Sequence, residues 1–334
     1  MKCSVVILNW NGEKTLRQFL PSVLQYTQLP DVEIVVADNG STDDSLHYLH
    51  TQPVRVIALD QNYGFAGGYN HAIEQVDAEY VVLLNSDVEV TANWLTTMLN
   101  YMDEHPEVLA AQPKVLAWHS KQQFDQGKVA AICFEHAGAA GGMLDILGYP
   151  YCKGRMMTHI EEDHGQYDTP TPIFWATGAC LLIRTEVYKQ LGGLDANFFA
   201  HQEEIDLCWR LQNQHSMSVY SLPFSTVYHV GGATLGYENP QKTFLNFRNN
   251  LLMLRKNLHW KRLWWVMIIR FFMDYLAAFQ MLVTKQLPNA KMVIKARCAY
   301  HKMKKYYPSC HASISPLLAQ RSIVWDFYVR RKLK

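Results

Sequence analysis

The sequence has no paired cysteines. Its seven, at positions 3, 133, 152, 180, 208, 298 and 310, include no C-x-x-C and no metal-finger spacing. The odd total argues against a secreted disulfide framework. A glycine fingerprint is also missing after the first apolar run, where Asn9-Trp10-Asn11-Gly12 stands in place of G-x-G-x-x-G. That removes the support for a nicotinamide-dependent oxidoreductase on a Rossmann sheet. Met1-Lys2-Cys3-Ser4 leads straight into Val5–Leu8, too short for the apolar region of a signal peptide, so a cytoplasmic location is expected. Internal repeats and low-complexity tracts are lacking. Acidic residues are scarce in one place: residues 255–334 hold 2 of the 30, against 17 of the 31 basic ones. The net charge of +1 therefore divides into −14 for residues 1–254 and +15 for the rest. An acidic body with a basic tail implies an anionic contact, nucleic acid or phospholipid.

The 334 residues are 49% hydrophobic and 18% charged, the composition of an ordered globular chain. Short β-branched runs at 4–8, 33–38, 54–59, 80–85 and 108–115 read as strands. Between them 14–26, 42–49, 66–76 and 92–104 read as helices. Such alternation predicts α/β architecture: a Rossmann-like, mostly parallel central sheet flanked by helices, with ligands beyond the carboxyl ends of the strands. Four polar segments follow four of those strands: Asn9–Gly12, Asp38–Asp43, Asn62–Asn70 and Asn85-Ser86-Asp87. Residues 120–172, rich in Gly, His and Tyr and weakly periodic, read as an acceptor-side excursion over the site. A helix near 185–191, a loop over 192–202 and a helix over 203–214 follow.

Leu263–Val283 is apolar over about the length of a membrane span but carries Arg270, Asp274 and Gln280. On a helix, Arg262, Arg270, Asp274, Gln280 and Lys285 share a sector of roughly 140°. Beside Trp264, Trp265, Phe271, Phe272 and Phe279, this stripe suits a helix lying in the headgroup region of an anionic leaflet, or one packed on its own domain. The apolar helix favours lipid over nucleic acid as the tail's partner.

The polar segments are where chemistry is expected. Asp38 can accept from a pyrimidine N–H, while Asn39, Ser41 and Asp43 can reach a ribose or cap the following helix. Gly64, Gly67 and Gly68 permit close backbone approach of phosphates where a helix begins. Asp87 directly follows the apolar strand Tyr80–Leu84, where a carboxylate is costly unless a cation meets it; the alternative is a helix cap. Glu203, Glu204 and Asp206 open a helix near Phe198, Phe199 and Trp209, and aromatic surroundings raise a carboxyl toward the pKa of a general base. Glu204 is the expected base. His229, in Tyr228-His229-Val230-Gly231-Gly232, can join Asp87 in holding a metal.

These segments, with Trp175-Ala176-Thr177-Gly178-Ala179, Gly193-Leu194-Asp195 and Glu203–Asp206, resemble the family 2 inverting glycosyltransferases of the GT-A fold, especially bacterial rhamnosyltransferase-like members. The resemblance spans roughly residues 3–257. It implies a catalytic domain over 1–257, divided into a nucleotide-binding half, 1–118, and an acceptor half, 119–257. Residues 258–334 then form a basic, amphipathic, membrane-associating helical extension. It implies donor contacts from Asn9, Asn11, Asp38, Asn39, Ser41, Gly67, Asn70, Asn85 and Ser86. Trp175, Gly178, Ala179 and Glu203 would lie near the donor sugar and acceptor, with Glu204 the base and Asp87 and His229 ligands of Mg2+ or Mn2+. Asn85 departs from the first aspartate of the family's D-x-D, and Glu204 stands where many relatives have aspartate.

The expected reaction is an inverting transfer of rhamnose or a similar hexose from a dTDP- or UDP-sugar to a glycan hydroxyl. The acceptor is expected to be lipid-linked, the process cell-surface polysaccharide synthesis, and the enzyme peripheral on the inner face of the cell membrane. The rival is a catalytically inactive nucleotide-sugar-binding scaffold, against which intact Asp87, Glu204 and His229 speak.

Overall fold

The computed structural model describes residues 1–231, 239–308, 310 and 321–332. Its first half follows the expected alternation: β1 (Cys3–Asn9), α1 (Glu13–Tyr26), β2 (Val32–Asp38), α2 (Ser45–Leu49), β3 (Arg55–Ala58), α3 (Gly64–Ile73), β4 (Tyr80–Asn85), β5 (Val88–Val90), α4 (Trp94–Glu104) and β6 (Ala110–Ala117). The stretch after β6 is more ordered than its composition predicts. It contains α5 (Trp118–Asp125), β7 (Gly142–Leu144), β8 (Pro150–Cys152), β9 (Arg155–Met156) and β10 (His159–Ile160), the four strands forming a separate antiparallel sheet. Strands of two or three residues are too short to display the period-2 alternation that marks a strand in sequence. The chain then continues through β11 (Thr171–Pro172), β12 (Cys180–Arg184), α6 (Thr185–Gln190), α7 (Glu203–Gln214) and β13 (Val219–His229). Four helices follow: α8 (Pro240–Asn257), α9 (Trp260–Val283), α10 (Leu287–Met303) and α11 (Ile323–Tyr328).

The main sheet runs β11-β13-β6-β12-β4-β1-β2-β3, with β5 also on β13. Strands β3, β2, β1 and β4 are parallel, β12 is inserted antiparallel between β4 and β6, and β13 is parallel to β6. The sheet is covered on both faces, so its central strands carry no polar alternation: all five residues from Tyr80 to Leu84 are 0% exposed. Val6, Val35, Val81 and Leu83 face a core shared with α3, α7 and α8, and Val5, Ile7, Val82 and Leu84 one shared with α1 and α4.

Register places the site. Asn9 lies opposite Asp38, Leu8 opposite Asn85, and Cys180 opposite Leu84, so the loops after β1, β2 and β4 and the one before β12 leave at one edge. His229, opposite Val88 on β5 and Ala117 on β6, arrives at the same edge.

For the tail, the sequence left α9 two placements, in a membrane interface or on its own domain. Periodicity places Arg262, Arg270 and Asp274 on one face of α9, but that face turns into the protein. Arg270 Nη1 donates to Asn250 Oδ1 at 2.5 Å and to Leu147 O at 3.1 Å, and Asp274 accepts from both Arg270 and Arg297. A buried charge is tolerable where its hydrogen bonds are satisfied, as these are. The opposite face is left bare: Trp264, Phe272, Leu276 and Phe279 are each more than 60% exposed.

Candidate active site

The loops after β1 and β2 build one polar floor. Buried Asn9 donates from Nδ2 to Asp38 Oδ1 at 2.9 Å and to Ser41 Oγ at 3.2 Å, and Ser41 N donates to Asp38 Oδ2 at 3.0 Å. Asn11, in the left-handed region at φ 49°, donates its backbone N–H to Ser41 Oγ at 2.8 Å and accepts from Thr42 N at 2.7 Å. Asp38 thus braces the floor with both oxygens. Asn9 Oδ1 is buried with no partner, a condition that costs on the order of 1–3 kcal/mol and is relieved by any donor entering the floor.

The glycine segment does other work than expected. The first amides of α3 do not open toward a phosphate: Phe65 N and Ala66 N donate to Phe199 O at 2.6 and 3.2 Å. Gly64, at φ 73°, allows this, because a Cβ there would fall 2.5 Å from the Phe199 ring. Gly67 serves packing, since a Cβ would meet Tyr63 Cβ at 2.9 Å. Asn70 is likewise occupied inside the fold. Its Oδ1 accepts from Tyr188 Oη at 2.6 Å and Leu194 N at 2.9 Å, while Nδ2 donates to Leu194 O. Asn39 joins the two loops, donating to Asn62 Oδ1 and Gly64 O and accepting from Tyr63 N.

At the end of β4, Asn85 N donates to Ala179 O at 3.0 Å, Ser86 is half-buried, and Asp87 turns inward. His229 Nε2 lies 3.2 Å from Asp87 Oδ1, and its Nδ1 lies 3.5 Å from Glu135 Oε2. Burial by itself would lower the pKa of the His229 ring, but Asp87 and Glu135 outweigh it and push it up to about 10. Burial would raise both carboxyls, yet the ring holds them below the usual carboxylate range. Glu135 had no sequence signal, since it stands alone in the irregular stretch. Residues 232–238, which begin three positions after His229, lie outside the described residues. Among the described residues, no group of three or more His, Cys, Asp or Glu is arranged as a complete metal cage. Asp87 and His229 form a carboxylate–imidazolium ion pair; with the ring deprotonated they would offer one oxygen and one nitrogen ligand, a set that suits Mn2+ better than the oxygen-seeking Mg2+.

Helix α7 supplies the carboxyls. Glu203 is buried, and its Oε2 and that of Glu204 have no hydrogen-bond partner. Burial pushes the Glu204 carboxyl up to about 7, while burial and then the Glu204 charge push Glu203 well above its ordinary value. Gly178 stands between Glu204 and Phe65: a Cβ there would be 3.8 Å from Glu204 Cβ and 3.1 Å from Phe65 Cζ. Phe65 is therefore the aromatic placed beside the pair, whereas Trp209 packs on Phe174 and Phe199 on Gly64. Asp206 is spent on structure, bonded to Arg210, Lys256 and Asn257 at 2.9, 2.9 and 2.7 Å. Trp175 is buried and donates from Nε1 to Met143 O at 2.9 Å, which anchors the strand entering the site.

The loop before α7 is strained, with Phe199, His201 and Gln202 at φ 65°, 72° and 74°. Non-glycine residues there cost about 1–3 kcal/mol each unless neighbours hold them. Helix α8 does so through a row of side chains that sequence reasoning passed over. Asn249 Nδ2 donates to Phe198 O, Ala200 O and His201 O at 2.8–2.9 Å, and Arg248 Nη2 donates to Asn197 O and Phe198 O at 3.0 Å. Asn250 Nδ2 donates to Gln202 Oε1 at 3.1 Å and so connects α9, through Arg270, to the start of α7. The signal was present as the polar run Asn246-Phe247-Arg248-Asn249-Asn250 on a helix otherwise rich in leucine. Asparagine is a poor helix former and needs another reason to be there.

Comparison with known proteins bears on the family and the fold. The chain is 28% identical to "O-antigen biosynthesis protein RfbC" of Myxococcus xanthus, across 68% of this chain and 17% of that protein. It is also 28% identical to "N-acetylglucosaminyl-diphospho-decaprenol L-rhamnosyltransferase" of Mycobacterium tuberculosis, across 69% of this chain and 76% of that one. The chain thus spans less than a fifth of the first relative and three quarters of the second. The crystal structure of GalNAc-T7 with UDP, GalNAc and Mn2+ superposes with a TM-score of 0.58 at 16% identity, covering 92% of this chain and 56% of that one, a likeness of fold. The sequence profile described as "Glycosyl transferase family 2" matches residues 4–192, and the chain belongs to that family.

Proposed function

We propose that this protein transfers rhamnose or a similar hexose from a dTDP- or UDP-sugar to a hydroxyl of a lipid-linked glycan, with inversion, in cell-surface polysaccharide synthesis. The observation that carries the reading is Glu204: a half-buried carboxyl raised to about 7, with a buried, unpartnered oxygen, at the edge where the Asn9–Asp38 floor and the Asp87–His229 pair converge. A base of that pKa is half ionised at neutral pH and retains the basicity to take a hydroxyl proton.

In this reading the floor, with the open acceptor Asn9 Oδ1, receives the base and ribose. Asp87 and His229 would hold a divalent cation, with the His229 ring in its neutral form and its proton released to solvent. Bound there, the cation supplies neutralisation of the diphosphate as charge builds on it. Glu204 takes the acceptor's proton, and that oxygen attacks the anomeric carbon opposite the departing nucleoside diphosphate, so one displacement inverts the centre. The name of the mycobacterial relative supports a lipid-linked diphosphate acceptor and a rhamnosyl donor.

The bare face of α9 extends the proposal to the membrane. The helix is long and apolar enough to cross a bilayer. However, Arg270 fastens its middle to Asn250 and Leu147, so it lies along the protein surface. Its exposed aromatics then enter the bilayer interface, and the basic residues of the tail meet anionic headgroups on the cytoplasmic side. The test is donor turnover: purified protein with vesicles, Mn2+ and a panel of dTDP- and UDP-sugars, with transfer and donor hydrolysis followed by chromatography. Turnover of none of these donors would sink the reading.

A further inference from the structure

We propose that a cleft between the ends of α8 and α10 and the start of α9 binds the headgroup of an anionic membrane phospholipid. The proposal rests on the reading above that the bare face of α9 enters the bilayer interface, and it names the place where one lipid is gripped.

The cleft has a volume of about 440 Å³ and two kinds of wall. One wall is apolar. Trp260, Leu263, Trp264 and Met267 stand on α9 at i, i+3, i+4 and i+7, the spacing that lines up side chains in one stripe. The other wall is basic, with Arg255 from the last turn of α8 and His301, Lys304 and Lys305 from the end of α10 and the turn after it. Arg255 Nε donates to Tyr307 O at 3.1 Å, which fastens the chain leaving α10 against α8 and keeps the two sources of positive charge together.

Among the described residues, no carboxylate lines this cleft. The two acidic residues of the tail are committed elsewhere: Asp274 pairs with Arg270 and Arg297, and Asp326 with Arg321 and Arg330. The His301 ring is held below its ordinary pKa by burial first and then by the Lys304 and Arg297 charges, so at neutral pH it is an uncharged group among cations. Like charges gathered without a counter-ion repel one another, and an anion set among them removes that cost. Phosphate oxygens suit such a wall, since lysine and arginine donate charge-assisted hydrogen bonds.

What marks the anion as a lipid is the border of the cleft. Trp264, 62% exposed, lines the cleft and also belongs to the bare face of α9, so the mouth opens where that face meets the interface. Trp260 beside it and Tyr306 at the far wall are exposed as well. Tryptophan and tyrosine, with an apolar body and one polar atom, settle at headgroup depth. A phosphate gripped here leaves its acyl chains to run from Trp264 along exposed Ile268 and Phe272. A free phosphate or a nucleotide would leave that apolar wall unused.

The test uses the full chain and vesicles of phosphatidylcholine, alone or with phosphatidylglycerol as the minor component, titrated by co-sedimentation. Three proteins are compared: wild type, a cleft variant carrying Lys304→Gln and Lys305→Gln, and a control carrying Lys291→Gln and Lys295→Gln. The control lysines are exposed on α10 outside the cleft, so both variants lose the same charge. Wild type should prefer the phosphatidylglycerol vesicles. The cleft variant should lose about tenfold or more in affinity for them, and the control less than about threefold. Equal losses in the two variants would overturn the proposal by assigning the attraction to the diffuse field of the tail. A lower melting temperature of the cleft variant with its binding intact would overturn it by assigning the lysines to the helix end. So would release from the vesicles by millimolar glycerol phosphate, which marks a free-phosphate site, or tighter binding when farnesyl phosphate replaces phosphatidylglycerol, which marks the acceptor's lipid. The membrane reading fails separately. Equal binding to both kinds of vesicle leaves the bare face standing while the cleft falls, and binding to neither removes both.

Discussion

Replacing Glu204 by Gln separates a base from a structural carboxyl, because the two roles move stability and activity in opposite directions. The folded-state pKa of Glu204 is raised from 4.5 to about 7 by burial. The native state therefore binds this proton more tightly than the unfolded chain does, and its contribution is fully present below pH 4.5 and lost as pH rises through 7. A shift of that size corresponds to about 3 kcal/mol at full burial. Solvent reaching the half-buried side chain reduces the penalty at pH 8.5 to about 1–2 kcal/mol. The amide cannot ionise, so Glu204→Gln should escape the penalty and melt about 1–3 °C above wild type at pH 8.5. At pH 4, below both the unfolded and the folded pKa, the two should melt together. Transfer should fall by at least about a hundredfold with donor binding retained, since the amide keeps size and shape but accepts no proton. The assays are thermal melts at the two pH values, calorimetric donor binding, and transfer by chromatography. Transfer within a few-fold of wild type would refute the role of Glu204 and leave Glu203, its buried neighbour, as the base. A loss of stability at both pH values would refute the assigned pKa.

Other residues give sharper single readings. Asp87→Asn should reduce turnover about a hundredfold or more with a far smaller change in melting temperature, and equal losses in both would remove its assignment to the cation. Asn249→Ala strips three hydrogen bonds from a strained loop and should cost about 2–4 kcal/mol in urea unfolding while lowering kcat; an effect below about 1 kcal/mol would show that the loop holds itself. Joint replacement of Phe272, Leu276 and Phe279 by Ser should release the protein from anionic vesicles in co-sedimentation without lowering its melting temperature. Retention on the vesicles would refute the role of that face. These surface changes are a cleaner test than truncation near residue 256, which would also strip Arg270 and Arg297 from the buried network.

The order of elements in the first half, and the edge at which the polar loops gather, were legible in the sequence because both depend on local patterns. Apolar runs such as Tyr80–Leu84 mark buried parallel strands, and Asn, Asp and Gly mark the turns that follow them. The helix α7 with its acidic opening was read to the residue for the same reason. Of the α9 stripe, Arg262, Arg270 and Asp274 do share one face, since 100° per residue is a property of any helix, whereas Gln280 is exposed and Lys285 lies past the helix end.

What periodicity does not carry is direction and partnership. Which way the α9 stripe faces depends on Asn250, Leu147 and Arg297, none of which is its neighbour in sequence. Three long-range placements decided the site in the same way. The Phe199 carbonyl reaches the start of α3 and closes the expected phosphate loop, Glu135 arrives at His229, and Asn249 reaches three carbonyls of the loop before α7. Polar side chains commit their hydrogen bonds only after distant segments meet, because a buried donor takes whichever acceptor the fold brings to it. The sequence by itself determined the fold class and the edge where chemistry is placed. Only the tertiary structure decided which of those polar groups are spent on bracing, as Asp206 and Asn70 are, and which keep an unpartnered oxygen, as Glu204 and Asn9 do.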